Sequence, residues 1–451
     1  MLPFEILEYI VDFLHDDRGA LSAVSLVSST CLHASRFHLF YRLKFLRSPS
    51  SEYHQPIEAV IKTYQEIDQF LGRTPDLASN VRHLVFHRAE TAHPAWSAVE
   101  PVIISIVQTL SRVKKISFWN TGWDHLSASL RGVLGQIMSQ PAFECVEFQL
   151  CTFQSRRDML DMLQLAPGLR RLELGRVEFV NESIQEVDVP EEGTPRRACS
   201  QPIRVDVLHI DYKPMLPIMQ ILKRDPSTVS FEFLRHLSIS RHGDFGAAAR
   251  LLARVGSSLV SLDICAAGSY SSGLLIADAI DIGLTPNLQV LRFREVRARF
   301  PDPVPRIISH FRGVKGPHGL KEIYIDISLS YSDLIEVTPW SWFAELFEEV
   351  RFPYLRKVAF SVSQGGTHEC NYLNNACAAL RDRGILWING EQVDYPPVDY
   401  TSDDESLGKQ SNDHESEDIH DNSQLDERTD SMGPENVELV PSFVEFSSIL
   451  G

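Results

Sequence analysis

The chain has 451 residues, 43% of them apolar, a length that suggests about three structural units. Its formal net charge of −17 lacks the basic excess that phosphate backbones attract, so we expect no nucleic-acid partner. No run of about 18 apolar residues and no signal-peptide pattern occur, so we expect no membrane partner.

The first 46 residues show the pattern of three short helices. Leu2, Ile6 and Ile10 recur at helical spacing, and Pro3 sits in the first turn, where a missing N–H group is no loss. Candidate N-caps precede the second and third helices: Asp16, Asp17, Ser28 and Ser29. A unit of about 45 residues is a marginal core on its own, so its surplus apolar surface predicts a partner.

This segment resembles the F-box, both in its Leu2-Pro3 start and in the run SLVS at residues 25–28. Its end, RFHLF at residues 36–40, is similar to a large fungal branch of that family. The resemblance implies docking on a small Skp-type adaptor, and through it on a cullin–RING ubiquitin ligase. The adaptor-facing residues it implies are Leu2, Pro3, Ile6, Ile10, Leu26, Val27 and Cys31, with Cys31 standing where the family usually has tryptophan. The alternative is a helical cap for the repeats that follow.

From Val81 onward a six-residue pattern recurs ten times, with apolar residues at its first, fourth and sixth positions. The copies begin 25 to 36 residues apart, a regularity that predicts a repeated architecture. They are VRHLVF from Val81, VKKISF from Val113, FECVEF from Phe143, LRRLEL from Leu169, VDVLHI from Val205, LRHLSI from Leu234, LVSLDI from Leu259, LQVLRF from Leu288, LKEIYI from Leu320 and LRKVAF from Leu355.

Helical periodicity occupies the stretches between copies, as in residues 103–110, 130–137 and 245–255. A strand followed by a helix, repeated, predicts parallel strands with helices on one face. The pattern resembles the opening of a leucine-rich repeat, which implies an irregular solenoid. A doubly wound α/β sheet is the alternative, and it would need helices on both faces and far fewer strands.

In a solenoid the outward strand positions form one shared concave surface. Here that surface mixes charges of both signs with aromatic residues, which suits a protein substrate better than a phosphate backbone. Besides His83, His87 and Gln149, the candidate substrate-binding residues are Lys115, Trp119, Glu147, Arg171, Glu173, His209, Asp211, His236, Asp263, Arg292, Arg294, Tyr324, Asp326 and Lys357. The alternative is an ordinary solvated strand face.

The expected fold class is therefore α/β, in four parts. They are a three-helix F-box at 2–46, a helical linker at 47–80, a leucine-rich-repeat-like solenoid with parallel strands and outer helices at 81–395, and an acidic tail at 396–451. From Asp399 to the end there are 15 acidic and 2 basic residues, a net −13, which leaves −4 for the rest. The tail has few apolar residues, and burying them cannot offset the conformational entropy lost on folding. We therefore expect a mostly disordered tail.

No metalloprotease, nucleophile-elbow, phosphate-loop or dinucleotide motif occurs, so we expect no catalytic residue, metal ligand or cofactor. The F-box resemblance implies a non-catalytic, substrate-receptor subunit of an SCF-type ubiquitin ligase. An interaction scaffold without a ligase role, and an enzyme with its site on the repeat surface, are the alternatives. Seven scattered cysteines without a CxxC pair favour a reduced protein of the cytoplasm and/or nucleus.

Overall fold

The structure is a computed structural model that describes part of the chain. The described residues are 4–46, 57–87, 94–180, 202–210, 229–239, 245–265, 280–297, 307–308, 310–311, 313–328, 340–347, 351–363 and 367–392. The predicted acidic tail at 396–451 lies outside the described residues.

Up to residue 174 the described elements mostly alternate between helices and strands, and further along the chain strands predominate. Helices α1 to α12 span Phe4–Phe13, Arg18–Ser25, Ser29–Phe40, Ile57–Arg73, Pro75–Ala78, Pro94–Thr109, Ala128–Met138, Arg156–Leu163, Phe245–Val255, Ser341–Leu346, Thr367–Ala376 and Ala378–Asp382. Strands β1 to β17 span Arg42–Leu46, His83–His87, Lys115–Trp119, Cys145–Gln149, Cys151–Phe153, Arg171–Leu174, Val177–Phe179, Ile203–Arg204, Val207–Ile210, Val229–Ser230, His236–Ile239, Ser261–Cys265, Val290–Arg297, Glu322–Ser328, Lys357–Ser363, Leu386–Ile388 and Glu391–Gln392.

The fold is mixed α/β and is dominated by one large, mostly parallel sheet. Among the described residues this sheet has 13 strands in the order β1-β2-β3-β4-β6-β9-β11-β12-β13-β14-β15-β16-β17. All neighbours pair in parallel except β16 and β17, which are antiparallel. The order follows the chain in one direction, whereas a doubly wound sheet reverses its order.

All ten copies of the six-residue pattern form strands of this sheet, and each strand begins at the third position of its copy. The fourth and sixth positions are buried, as Leu84 and Phe86 show, and the first position is buried as well. The third and fifth positions point to the opposite face because side chains alternate along a strand. The repeated pattern thus places the apolar face of the sheet in the core and the polar face on the opposite side.

Stacked phenylalanine rings line the buried face at the N-terminal end of the sheet. Phe45, Phe86, Phe118 and Phe148 come from four neighbouring strands, and successive ring centroids lie 5.0, 5.7 and 5.6 Å apart. All four side chains are buried. Offset aromatic stacking adds to the stabilisation from area burial, so these rings tie the first four strands together.

The N-terminal helices join the sheet directly. Asp17 caps α2 by accepting from Ala20 N at 2.8 Å, and Ser28 caps α3 by accepting from Cys31 N at 3.1 Å. Only Tyr41 separates α3 from β1, which pairs with β2. The sheet therefore begins at Arg42, inside the range that the sequence assigns to the F-box. The run FYRLKF from Phe40 has the same apolar positions as the ten repeated copies, and β1 begins at its third position.

Within the described part of the chain, no helix combines the length and apolar character needed to cross a membrane.

Candidate functional site

The N-terminal helices expose apolar side chains that the F-box resemblance assigns to an adaptor. Helix α1 buries Val11 and leaves Ile6 and Ile10 exposed. Leu26 and Val27, at the turn between α2 and α3, are 86% and 74% exposed. Such surface is unfavourable in water unless a partner covers it.

Two of the assigned residues, Leu2 and Pro3, lie outside the described residues. Cys31 differs from the others because its side chain is only 5% exposed. It belongs to the core of the helical unit, so its thiol offers almost no surface to a partner. The accessible part of the implied adaptor surface is therefore Ile6, Ile10, Leu26 and Val27, which we call the apolar helical surface.

The second candidate site is the polar face of the sheet, made of the third and fifth positions of the repeated pattern. Strand register places these positions side by side in two rows. The third positions include His83, Lys115, Cys145 and Arg171 on successive strands. The fifth positions include Ser117, Glu147, Glu173 and His209. Side chains of these rows form an ion-pair group at the N-terminal end of the sheet and a cation–aromatic group at its C-terminal end.

At the N-terminal end, four predicted residues form one ion-pair group, which we call the lysine cluster. Lys115 Nζ lies 2.7 Å from Glu147 Oε2 and 2.9 Å from Glu173 Oε2. Arg171 Nε lies 2.5 Å from Glu173 Oε1. Glu147 and Glu173 are directly opposite each other on neighbouring strands, so Lys115 stabilises two carboxylates that would otherwise repel.

A hydrogen-bond chain connects His83 to this cluster. Ser117 Oγ donates to Glu147 Oε2 at 2.6 Å, and His83 Nε2 lies 2.7 Å from Ser117 Oγ. The single hydroxyl proton of Ser117 points to Glu147, so His83 Nε2 carries a proton and donates to Ser117. A nucleophilic serine needs a histidine that accepts its proton, so this arrangement is not a serine–histidine catalytic pair.

The pKa values of Lys115 and Glu173, and of the neighbouring Cys145, are shifted away from neutrality. Burial lowers the pKa of Lys115, but its hydrogen bonds and attraction to Glu147 and Glu173 outweigh burial and raise it. Burial raises the pKa of Glu173, but its hydrogen bonds with Lys115 and Arg171 and its attraction to their charges together outweigh burial and lower it. Burial, reinforced by the Glu173 charge, raises the pKa of Cys145 to about 12. None of these groups is tuned as a general acid or base near pH 7.

His83 makes the stability of the fold sensitive to mild acid. Burial, with the charges of Arg42 and Lys115, lowers its pKa from 6.5 to about 3. Between these values the unfolded chain binds a proton that the folded chain does not, so stability falls as pH falls below 6.5. The expected loss from this group is at most about 1.4 kcal/mol per pH unit.

The measurement is urea unfolding at pH 7.0 and pH 5.0 for the unchanged chain and for His83→Gln. Glutamine keeps an N–H donor toward Ser117 but does not titrate. We expect the unchanged chain to lose about 2 kcal/mol more than the variant over this interval. Equal losses would show that His83 is solvated and titrates normally.

At the C-terminal end, alternating cations and aromatic rings form what we call the cation–aromatic ladder. The guanidinium carbon of Arg292 lies 4.8 Å from the Tyr324 ring centroid. Lys357 Nζ lies 5.1 Å from the Tyr324 ring and 4.5 Å from the Trp387 ring. These residues come from β13, β14, β15 and β16, which are adjacent in the sheet. Cation–π contacts of this kind hold long side chains in fixed positions.

Acidic residues surround the ladder. Arg294 Nε pairs with Asp263 Oδ1 at 2.7 Å, and its Nη2 donates to Ser238 Oγ at 2.8 Å. Asp326 is half-buried, and burial raises the pKa of its carboxyl group above the usual value, although the Arg292 charge opposes this shift. The ladder therefore lies in a mixed electrostatic environment.

The remaining predicted residues fall between or beside these groups. Trp119 lies beside His87, with ring centroids 6.3 Å apart, and the Arg42 guanidinium lies 5.9 Å from its ring. His209 and His236 lie on β9 and β11, between the lysine cluster and the ladder. Asp211 lies outside the described residues. The polar face thus brings most predicted residues into two groups rather than one continuous site.

Four important residues are missing from the predicted substrate-binding set: Ser117, Cys145, Ser238 and Trp387. Ser117 and Ser238 occupy fifth positions of their copies, and Cys145 occupies a third position. Position in the repeat is therefore the signal that identifies them, although their residue types are not conspicuous. Trp387 lies on the short strand β16, which is not one of the ten copies.

Among the described residues, no group of three or more His, Cys, Asp or Glu side chains is arranged to hold a metal ion.

Comparison of the whole chain with protein-family models gives no match, and no curated protein is significantly similar to it.

Proposed function

We propose that this chain is the substrate-receptor subunit of an SCF-type cullin–RING ubiquitin ligase. In this proposal residues 2–46 act as an F-box that binds a Skp-type adaptor and, through it, a cullin. Residues 81–395 act as a leucine-rich-repeat-like solenoid that holds a protein substrate. The chain itself is non-catalytic, and it works in the cytoplasm and/or nucleus.

The observation that carries the proposal is the apolar helical surface. Ile6, Ile10, Leu26 and Val27 are the positions that the F-box resemblance assigns to the adaptor, and all four are exposed. Exposed apolar side chains on a helical unit of about 40 residues support a role in partner binding. Cys31 is buried, so the adaptor contact would rest on the other residues.

The role of such a receptor is to supply proximity. A ubiquitin carrier bound elsewhere in the assembly would meet a lysine of the held substrate at high effective concentration. The receptor then needs two binding surfaces and no reactive group of its own. The lysine cluster supports this view, because its hydrogen bonds and pKa shifts suit a structural ion-pair network.

The second candidate function is an interaction scaffold whose N-terminal helices only cap the sheet. Pairing of β1 with β2 favours it, as does stacking of the Phe40 and Phe70 rings at 5.9 Å. Deleting residues 1–46 would not separate the two functions, because it would remove a strand of the sheet as well as the apolar helical surface. Substitutions at exposed positions are needed instead.

The test is a pull-down of the full chain with a Skp-type adaptor, comparing the unchanged chain with Leu26→Asp plus Val27→Asp. We expect adaptor recovery to fall more than about tenfold, because two charges would enter an apolar interface. The melting temperature should stay the same, since both side chains are exposed in the isolated chain.

Leu150→Asp is the matched control, because Leu150 is another exposed leucine and follows β4, in the sheet rather than in the helical unit. It should recover as much adaptor as the unchanged chain. If the unchanged chain recovers no adaptor, or if the double variant recovers as much as the control, the scaffold function is favoured.

A further inference from the structure

We propose that the substrate-binding part of the polar face is the cation–aromatic ladder, and that it takes an acidic segment of a protein. The inference rests on the proposed function in one respect: the bound protein is a ligase substrate only if the chain is a ligase receptor. The binding chemistry itself can be tested whether or not the chain joins a ligase.

The first argument is that two cations of the ladder form no direct ion pair. Arg292 is exposed and Lys357 half-buried, and in the described part of the chain neither forms an ion pair within 4.0 Å. Lys115, by contrast, contacts two carboxylates. A ligand carboxylate therefore finds available cations at the ladder and a satisfied network at the lysine cluster.

The second argument is that nearby acidic groups are already engaged. Glu322 accepts from the Tyr324 hydroxyl at 2.9 Å and pairs with Arg356 Nη2 at 2.6 Å. Its charge is thereby offset, and the hydrogen bond fixes the Tyr324 ring on which Arg292 and Lys357 rest. Cations that are held before binding lose less side-chain entropy when a ligand arrives.

The third argument concerns which anion fits. Arg292 and Lys357 lie two strands apart, a separation of roughly 10 Å, or about three residues of extended peptide. Asp263 lies opposite Arg292 on the neighbouring strand and Asp326 interacts with the Arg292 charge, so the surface does not present an unbroken positive patch to a polyanion. Separate carboxylates on a peptide can meet the two cations individually, while the neighbouring side chains pack on the Tyr324 and Trp387 rings.

The test is fluorescence anisotropy of the full chain with labelled octaglutamate, with octaglutamine and an eight-nucleotide oligothymidine as comparison ligands. We expect saturable binding of octaglutamate that weakens as salt rises, and much weaker binding of the other two. The variant Arg292→Gln plus Lys357→Gln should weaken octaglutamate binding by about tenfold.

Two further variants make the result specific. Lys62→Gln plus Arg157→Gln removes two exposed cations on helices and should leave binding unchanged. Arg292→Lys plus Lys357→Arg keeps both charges and should retain most of the affinity, which separates loss of charge from misfolding. Equal weakening by both glutamine variants, oligothymidine binding as tight as octaglutamate, or no octaglutamate binding would overturn the proposal.

The same glutamine variants in the adaptor pull-down distinguish this inference from the proposed function. Loss of octaglutamate binding with normal adaptor recovery assigns the ladder to an acidic ligand without affecting the adaptor surface. If octaglutamate binds as expected but no adaptor is recovered, the ligase role fails and the ladder site stands.

Discussion

Replacing Lys115 with methionine is expected to lower the free energy of unfolding by about 3–5 kcal/mol. Methionine has a similar length and keeps the packing of the stem, but it carries no charge. The Glu147 and Glu173 side chains are nearly buried and lie opposite each other, so both carboxylates lose their shared cation. Urea unfolding at neutral pH, followed by far-UV circular dichroism, measures the change.

The neighbouring residue supplies the control. Lys114 is more exposed, and its Nζ lies 3.4 Å from Glu144 Oε1, so Lys114→Met should change stability by no more than about 1 kcal/mol. Adding Glu147→Gln to Lys115→Met should restore much of the stability, because Glu147 is the carboxylate that loses its cation, whereas Glu173 keeps Arg171. Equal effects of the two lysine substitutions would contradict the network.

Replacing Phe118 with alanine is expected to destabilise the fold by about 3–5 kcal/mol. Its ring lies between those of Phe86 and Phe148, with centroid distances of 5.7 and 5.6 Å. It also meets Trp123 edge-on at 5.7 Å. The substitution therefore leaves a cavity in the middle of the phenylalanine stack, and urea unfolding measures its cost.

Phe233→Ala is the control for this prediction. Phe233 is 45% exposed and lies under the guanidinium group of Arg204 at 4.7 Å, so it should lose only about 1 kcal/mol or less. Phe118→Leu should fall between the two, because leucine fills part of the cavity. A Phe118→Ala effect no larger than that of Phe233→Ala would mean that the stack does not hold the first strands together.

The strands of the sheet could be predicted from sequence because their signal is repeated. A single copy such as LRRLEL fits several structures, but ten copies at similar spacing favour parallel strands in chain order over a doubly wound sheet. Strand β1 is missed although the run FYRLKF from Phe40 has the same apolar positions as the ten copies, because this segment is assigned to the F-box.

The sequence predicted an apolar stripe on α1 but could not say whether the stripe is buried. Ile6 and Ile10 have helical spacing, yet the structure buries Val11 and leaves both of them exposed. Periodicity identifies a face, whereas the choice between the core and a partner depends on tertiary packing. Cys31 shows the reverse case, since a position expected to face a partner belongs to the core.

The sequence predicts which residues lie on the polar face but not which of them contact each other. The third and fifth positions of the copies are the residues that face outward, as the repeat implies. Which residues meet depends on register between strands and on side-chain length, as when Lys115 reaches Glu173 from two strands away. The division into a satisfied cluster and a ladder with available cations follows from these contacts and is not visible in the sequence.

The single residue between α3 and β1 has a mechanical consequence. Tyr41 leaves no room for a hinge, and β1 is fastened to β2 along all five of its residues. Nine strand-to-strand steps separate β1 from β14, which is roughly 43 Å along the sheet at about 4.8 Å per step. In the proposed assembly the sheet would be a rigid spacer between the adaptor and the bound substrate. The number of strands between them, rather than the flexibility of a linker, would then determine which substrate lysines the ubiquitin carrier can reach.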